Sequence, residues 1–340
     1  MAVGNAVPKM GYQSAVGIAE ETTLGTFVTA TAFIEFNSES LKQEREELKV
    51  PAVNTTRDYK KRMIMNETVS GSLEAPVNVA EDAFALIVKQ AMGGTVSANT
   101  LAAGAVEHTF NTGDMESNAG TNTSSDVKGL SISVRRGDTN VWNHAGCRVN
   151  NLTLSGEIGS PVGFTCEIIG SGCSISSSIP TVSFSDVLPI NFVDIAFETG
   201  DSITNVSAEY VTNFELSLNN NIDGDQRSLG SRNISVLPPV MRDVALTVGM
   251  RFDTTTAYDR FIDNTMTAIR ITADTGVTIT AGGTTYAMII RIPAAYLNSN
   301  QPEVGGAETL TQELSYTGMY NTEAAYSIQM MIRNATANYF

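Results

Sequence analysis

The chain has 340 residues, with 21 basic and 36 acidic side chains and a formal net charge of −15. This charge excludes ordinary high-affinity binding to a phosphate backbone. Two histidines, and three cysteines without CxxC spacing, leave little material for a metal site, a disulfide framework or general acid–base catalysis. We therefore expect no cofactor and no enzymatic activity.

No stretch of the sequence approaches the roughly 18 apolar residues of a membrane-spanning helix. Residues 1–12 contain a single charge, at Lys9, and lack the apolar segment of a secretory signal. We therefore expect a soluble protein that is made and kept in a cytoplasm-like compartment.

Short segments that alternate apolar and polar residues recur along the chain, for example at 130–134, 152–155 and 214–219. A period of two residues is typical of strands with one buried face. Helical patterns occur in two places. We therefore predict a mainly β chain with two helices, and we expect the tract at 95–125, rich in small and polar residues, to be an exposed loop.

The most basic segment of the chain lies at 42–65, between two predicted strands. It contains a third of all lysines and arginines, and a hairpin arm of this length has no core of its own to bury. The arm is either a solvated loop or a docking element. Its acidic start, followed by basic residues, favours docking onto an acidic surface. The basic residues are Lys42, Arg45, Lys49, Arg57, Lys60, Lys61 and Arg62.

The two predicted helices span 79–92 and 254–269. Asn78 is a candidate N-cap for the first helix, with Glu81 three residues later, and glycines at 93 and 94 end it. Each helix has an apolar face that is expected to pack on the core. These residues are Phe84, Ile87 and Val88 in the first helix and Tyr258, Phe261 and Ile262 in the second.

The surroundings of the two helices are similar, which indicates an internal repeat. A strand precedes each helix, and residues 151–156 resemble residues 313–318 near the end of each half. A tract rich in Gly and Ser at 170–180 separates the halves. We therefore predict two tandem domains, at 1–175 and 176–340.

Several segments resemble the tail tube proteins of long-tailed bacteriophages. They are the opening at 17–26, the extended segment at 33–41, the arm with Thr56-Arg57-Asp58, the segment at 68–73, the helix end at 92–94 and the hairpin that starts at 149. The resemblance depends on the order of these segments more than on their identity, and it is clearer in the first half.

The resemblance implies two β-sandwich or barrel domains, each with one flanking α-helix. Proteins of this family form rings that stack into a hollow tube, through which DNA passes without specific binding on its way into the host. A duplicated chain is expected to form homotrimeric rings with pseudo-sixfold symmetry, the alternative being hexamers. The arm is expected to contact the neighbouring ring, together with the N-terminal segment at 2–31.

The resemblance also implies a place in the virion tail, with assembly in the bacterial host cytoplasm. The expected partners are further copies of the chain and the tape-measure, tail-tip and tail-terminator proteins. The alternative is another β-rich virion protein, such as a capsid decoration or an adhesin, which would form closed particles rather than tubes.

Overall fold

The computed structural model describes residues 9–53, 55–113, 128–137, 140–177, 181–279, 283–299, 309–337 and 339. Its antiparallel strands join into one large sheet that is not closed into a barrel, with two α-helices in the described part. The prediction of a mainly β fold with flanking helices is confirmed.

The elements of the first half are β1 (Ala15–Glu20), β2 (Ala32–Ile34), β3 (Ser38–Glu39), β4 (Lys42–Lys49), β5 (Arg62–Pro76), α1 (Asp82–Met92), β6 (Gly93–Ala102), β7 (Ala105–Thr112), β8 (Leu130–Arg135), β9 (Val141–Glu157), β10 (Gly163–Gly170) and β11 (Gly172–Ser176). Those of the second half are β12 (Ile195–Ser202), β13 (Asn205–Ala208), β14 (Val211–Asn219), β15 (Asp243–Arg251), α2 (Thr256–Ile262), β16 (Thr267–Thr278), β17 (Thr285–Ser299), β18 (Thr311–Gly318) and β19 (Gln329–Asn334).

The strands bury every second side chain. In β10, Phe164, Cys166 and Ile168 are buried, whereas Thr165 and Glu167 are exposed. The buried residues belong to one hydrophobic cluster that includes strands of both halves. The face with Thr165 and Glu167 is therefore a separate, solvated surface.

Two strand pairings join the halves. β9 pairs with β14, where Asn151 lies opposite Asn219, and β7 pairs with β19, where Val106 lies opposite Asn334. The tract expected to be an exposed loop is thus partly structured, because its first part forms the β6–β7 hairpin. The prediction missed this hairpin because small and polar residues outnumber the buried Val106 and Phe110. Residues 114–125 of that tract lie outside the described part.

The C-terminal segment also docks on the first half. Lys89 Nζ in α1 donates to Glu20 at 2.7 Å and to the carbonyl oxygen of Tyr339 at 2.6 Å. The hydroxyl of Tyr339 donates to Asp82 at 2.8 Å. α1 is therefore held by residues from both ends of the chain.

The helices begin and end inside the predicted ranges. In α1 the N-cap position belongs to Glu81, while Asn78 Oδ1 accepts from the backbone N–H of Ala80 at 3.1 Å. Gly93 ends α1 with a φ of 66°, a left-handed conformation that glycine adopts without strain. α2 is much shorter than predicted because β16 already begins at Thr267.

Candidate functional site

The predicted arm projects from one end of the sheet as a two-stranded hairpin. Beyond Glu67, β4 and β5 pair with each other and with no other described strand, and the described residues 50–53 and 55–61 form no strand or helix. Leu48 lies opposite Met63, and these side chains are 44% and 53% exposed. Apolar side chains exposed in this way are typical of a contact surface.

All seven predicted basic residues lie on this arm and are exposed. Three of them form ion pairs with residues of the arm or its root, with N–O distances of 2.7 to 3.5 Å: Lys42 with Glu44, Arg45 with Glu67, and Arg62 with Glu47. Lys49, Arg57 and Lys61 have no ion pair within the described part of the chain. Exposed ion pairs contribute little to stability, so both the paired and the unpaired basic side chains of the arm are available to bind a partner.

The root of the arm is fixed by the segment between β14 and β15. The backbone N–H of Glu67 donates to the carbonyl of Arg232 at 3.0 Å, and Arg227 donates to Thr68 Oγ1 at 2.7 Å. The same segment contains a small hydrophobic cluster around Leu237. The arm is therefore anchored at its base.

A recess lies at the opposite end of the sheet, where β5 and β9 end and β10 begins. The recess has a volume of about 280 Å³, and we call it the turn-end recess. Its lining includes two carboxylates and no basic side chain. Residues that line the recess include Glu157, Ile158, Phe192, Glu209, Val211 and Phe214.

The two helices differ in burial, although the sequence predicts a core face for both. Phe84, Ile87 and Val88 of α1 are fully buried, and the ring of Phe84 lies 5.2 Å from that of Phe164.

In α2, Tyr258 is 40% exposed and Ile262 is 60% exposed, so the prediction that both are core residues is wrong for the single chain. Phe261 is partly buried against the core. The physical reason is length, because a helix of seven residues cannot lay a full apolar stripe on the sheet.

Neither histidine is placed for metal binding or catalysis. His108 is buried on β7, and its Nε2 lies 2.9 Å from the carbonyl oxygen of Thr336. His144 is buried on β9, and burial lowers its pKa to about 4. Burial raises the pKa of the Cys147 and Cys166 thiols, which keeps them protonated. Over the described ranges, no group of three or more His, Cys, Asp or Glu side chains could hold a metal ion.

One carboxyl group titrates near neutral pH. Burial raises the pKa of Glu81 from 4.5 to about 7, although its carboxylate oxygens accept from the backbone N–H of Glu35 at 3.4 and 3.3 Å. The charge of Glu35 raises the pKa further. Glu81 therefore binds its proton more tightly in the folded chain than in the unfolded chain.

Glu81→Gln is expected to remove a pH dependence of stability. Because the folded pKa is raised, the stabilisation is complete below pH 4.5 and is lost as the pH rises to about 7. Relative to the variant, the wild-type free energy of unfolding should fall by about 1–3 kcal/mol over this range, allowing for partial screening. Urea melts at about pH 5 and about pH 8 measure this difference. Parallel pH profiles for the two proteins would contradict the assignment.

The two ends of the sheet differ in charge, because the outer arm carries exposed basic side chains and the recess carries two carboxylates. The family model described as phage tail tube protein matches residues 11–318. The chain belongs to the phage tail tube protein family. No match was found among curated proteins.

Membership in the phage tail tube family makes the chain a structural component of the virion tail. The match covers nearly the whole chain, including the arm, both helices and the turn-end recess. In the described residues, no helix is long and apolar enough to cross a membrane.

The sequence predicts the arm, but it predicts neither the turn-end recess nor the pairing of β9 with β14. The alternation in both strands was visible, at 152–155 and 214–219, but alternation does not reveal which strands are neighbours. The recess combines residues that are far apart in sequence, such as Ile158 and Val211. No local pattern could have indicated it.

Proposed function

We propose that this tail tube protein assembles into rings and that the rings stack into the conduit for DNA ejection. The observation that carries the proposal is the β9–β14 pairing between the two halves of one chain. The pairing joins two similar halves side by side within one chain, and the same kind of strand pairing can join one copy of the chain to the next.

The strand pairings recur in the same order in both halves, which supports the proposed tandem duplication with a boundary near residue 176. Seven pairings of the first half have a counterpart in the second: β1–β2 and β12–β13, β1–β8 and β12–β16, β8–β9 and β16–β17, β9–β10 and β17–β18, β5–β10 and β15–β18, β4–β5 and β14–β15, β9–β11 and β17–β19.

Irregularities of the strands recur as well. The β8–β9 register shifts between Leu130 and Ile132, and the β16–β17 register shifts between Thr267 and Ile269. Register shifts at corresponding places support a common origin of the halves better than strand order alone, since local irregularities of this kind are characteristic of a particular fold.

This correspondence leaves two unpaired edges on the chain. The sheet runs in the order β4, β5, β10, β9, β14, β15, β18 and β17. In the described part, β3 and β4 have no neighbour on their outer side, and residues 296–299 of β17 pair with β18 alone. Open edges favour pairing with another chain.

We infer that β17 of one copy pairs with β4 of the next copy. When the strand pairings of the two halves are aligned, Ser299 corresponds to Asn151 and Glu44 corresponds to Asn219. Within the chain, Asn151 lies opposite Asn219. Ser299 should therefore lie opposite Glu44 of the next copy. Repetition of this contact closes a ring, and a homotrimer would contain six similar halves.

The solvated face of the sheet is suited to line a DNA channel. Glu74, Glu167, Glu215 and Glu313 are exposed on β5, β10, β14 and β18, alternating with buried residues such as Leu73. Carboxylates repel the phosphate backbone, so DNA can move along such a wall without binding to it.

Cysteine cross-linking between copies tests the inferred register. Glu44→Cys combined with Ser299→Cys is expected to give covalent oligomers under oxidation, because directly opposite residues of antiparallel strands are close enough for a disulfide. Asn151→Cys with Asn219→Cys is the matched control, and it should close a disulfide within one chain. Each single cysteine variant should give neither product.

Non-reducing gels and native mass spectrometry measure the products. Rings that form while the cysteine pair stays open, with the control pair closed, would contradict the proposed register. A protein that stays monomeric at high concentration would contradict the proposed function itself.

A further inference from the structure

We infer that the turn-end recess is the binding site for the arm of a second copy in the adjacent ring. The inference rests on the proposed stacking of rings, and it identifies the surface that receives the arm.

Their positions fit head-to-tail stacking. β5 runs from Arg62 in the arm to Pro76, and Pro76 lies opposite Gly163 at the end that carries the recess. The arm and the recess therefore lie at opposite ends of the same sheet. A contact between unlike ends repeats indefinitely along an axis, and such a contact produces a filament rather than a closed particle.

The apolar character of the two surfaces also matches. Ile158 is 61% exposed at the recess, beside Phe192 and Phe214 in the lining. On the arm, Leu48 and Met63 share one face, and Tyr59 in the loop is 65% exposed. Burial of these side chains against the aromatic lining would contribute about 25 cal/mol per Å² of apolar surface removed from water.

Charge selects the arm among possible occupants. Glu157 and Glu209 are the charged residues in the lining, and both are exposed. Glu209 accepts from Thr199 Oγ1 at 2.8 Å, and neither carboxylate has an ion pair within the described residues. The outer arm carries a cluster of cations that complements them: Arg57, Lys60, Lys61 and Arg62. Complementary charges of this kind orient the encounter and select the partner.

The test reverses the charge of the recess. Glu157→Lys with Glu209→Lys is expected to leave rings intact by native mass spectrometry, while the critical concentration for tube formation rises at least tenfold. Both residues are exposed, so the fold should persist, which a thermal melt checks. Glu167→Lys, on the solvated face in mid-sheet, is the matched control and should leave stacking unchanged.

A charge exchange then identifies the partner. Adding Lys60→Glu and Lys61→Glu to the recess variant should restore tubes, because the attraction is rebuilt with opposite signs. Stacking that is unaffected by the recess variant would overturn the inference, and so would a failure of the exchanged protein to recover. In either case, intact rings would leave the proposed function uncontradicted. A wild-type protein that forms no rings would contradict the proposed function as well.

Discussion

Phe84→Ala is expected to destabilise the chain by about 3–5 kcal/mol, the range typical of large core aromatics. The side chain of Phe84 is fully buried, and its ring lies 5.2 Å from that of Phe164. Truncation therefore removes apolar burial and leaves a cavity that a β-sheet on one side and α1 on the other cannot close. Urea melts of wild type and variant give the difference in free energy of unfolding.

The counterpart in the second half is the control for this prediction. Tyr258 is 40% exposed in α2, so Tyr258→Ala should change the free energy of unfolding of the single chain by less than about 1 kcal/mol. A loss at Phe84 as small as this would show that α1 does not anchor the first half. A loss at Tyr258 as large as that at Phe84 would show that the second helix is packed in solution.

The class of fold follows from the sequence, because alternation reports burial directly. Residues 152–155 and 214–219 alternate and form strands, and the apolar face around Phe84 forms α1. For α2 the same reasoning fails. Periodicity predicts which residues share a face, but it does not predict whether the rest of the chain supplies a surface to cover that face, and Ile262 remains 60% exposed.

Under the proposed duplication, the sequence match that indicates the repeat joins strands that do not correspond to each other. Residues 151–156 resemble residues 313–318 in sequence, yet the pairings place 313–318 in β18, which corresponds to β10 and not to β9. Strands that alternate small polar and aliphatic residues resemble one another whatever their position. Hydrogen-bonded neighbours, and not side chains, distinguish them.

The two ends of the sheet also differ in how far the sequence predicts them. The arm is contiguous in sequence, so its charges at 42–65 are visible without a structure. The turn-end recess needs Glu157 from β9 and Glu209 from the segment before β14 to meet. Such a surface exists only after the halves have paired.

Reversing the charges of the outer arm is expected to abolish stacking of rings. Replacing Arg57, Lys60, Lys61 and Arg62 with glutamate would place carboxylates against the acidic recess of the adjacent ring. The arm lies outside the core, so subunits should remain folded and should still form rings. Negative-stain microscopy and sedimentation measure the loss, with discrete rings in place of tubes.

The controls separate charge from packing. Exchanging lysine for arginine and arginine for lysine at the same four positions preserves the sign, so tubes should still form. Higher salt should weaken stacking of the wild type, because exposed charges are screened beyond about 10 Å at 0.1 M ionic strength. Polymerisation of the reversed variant at the wild-type rate would show that the arm does not dock through its cations.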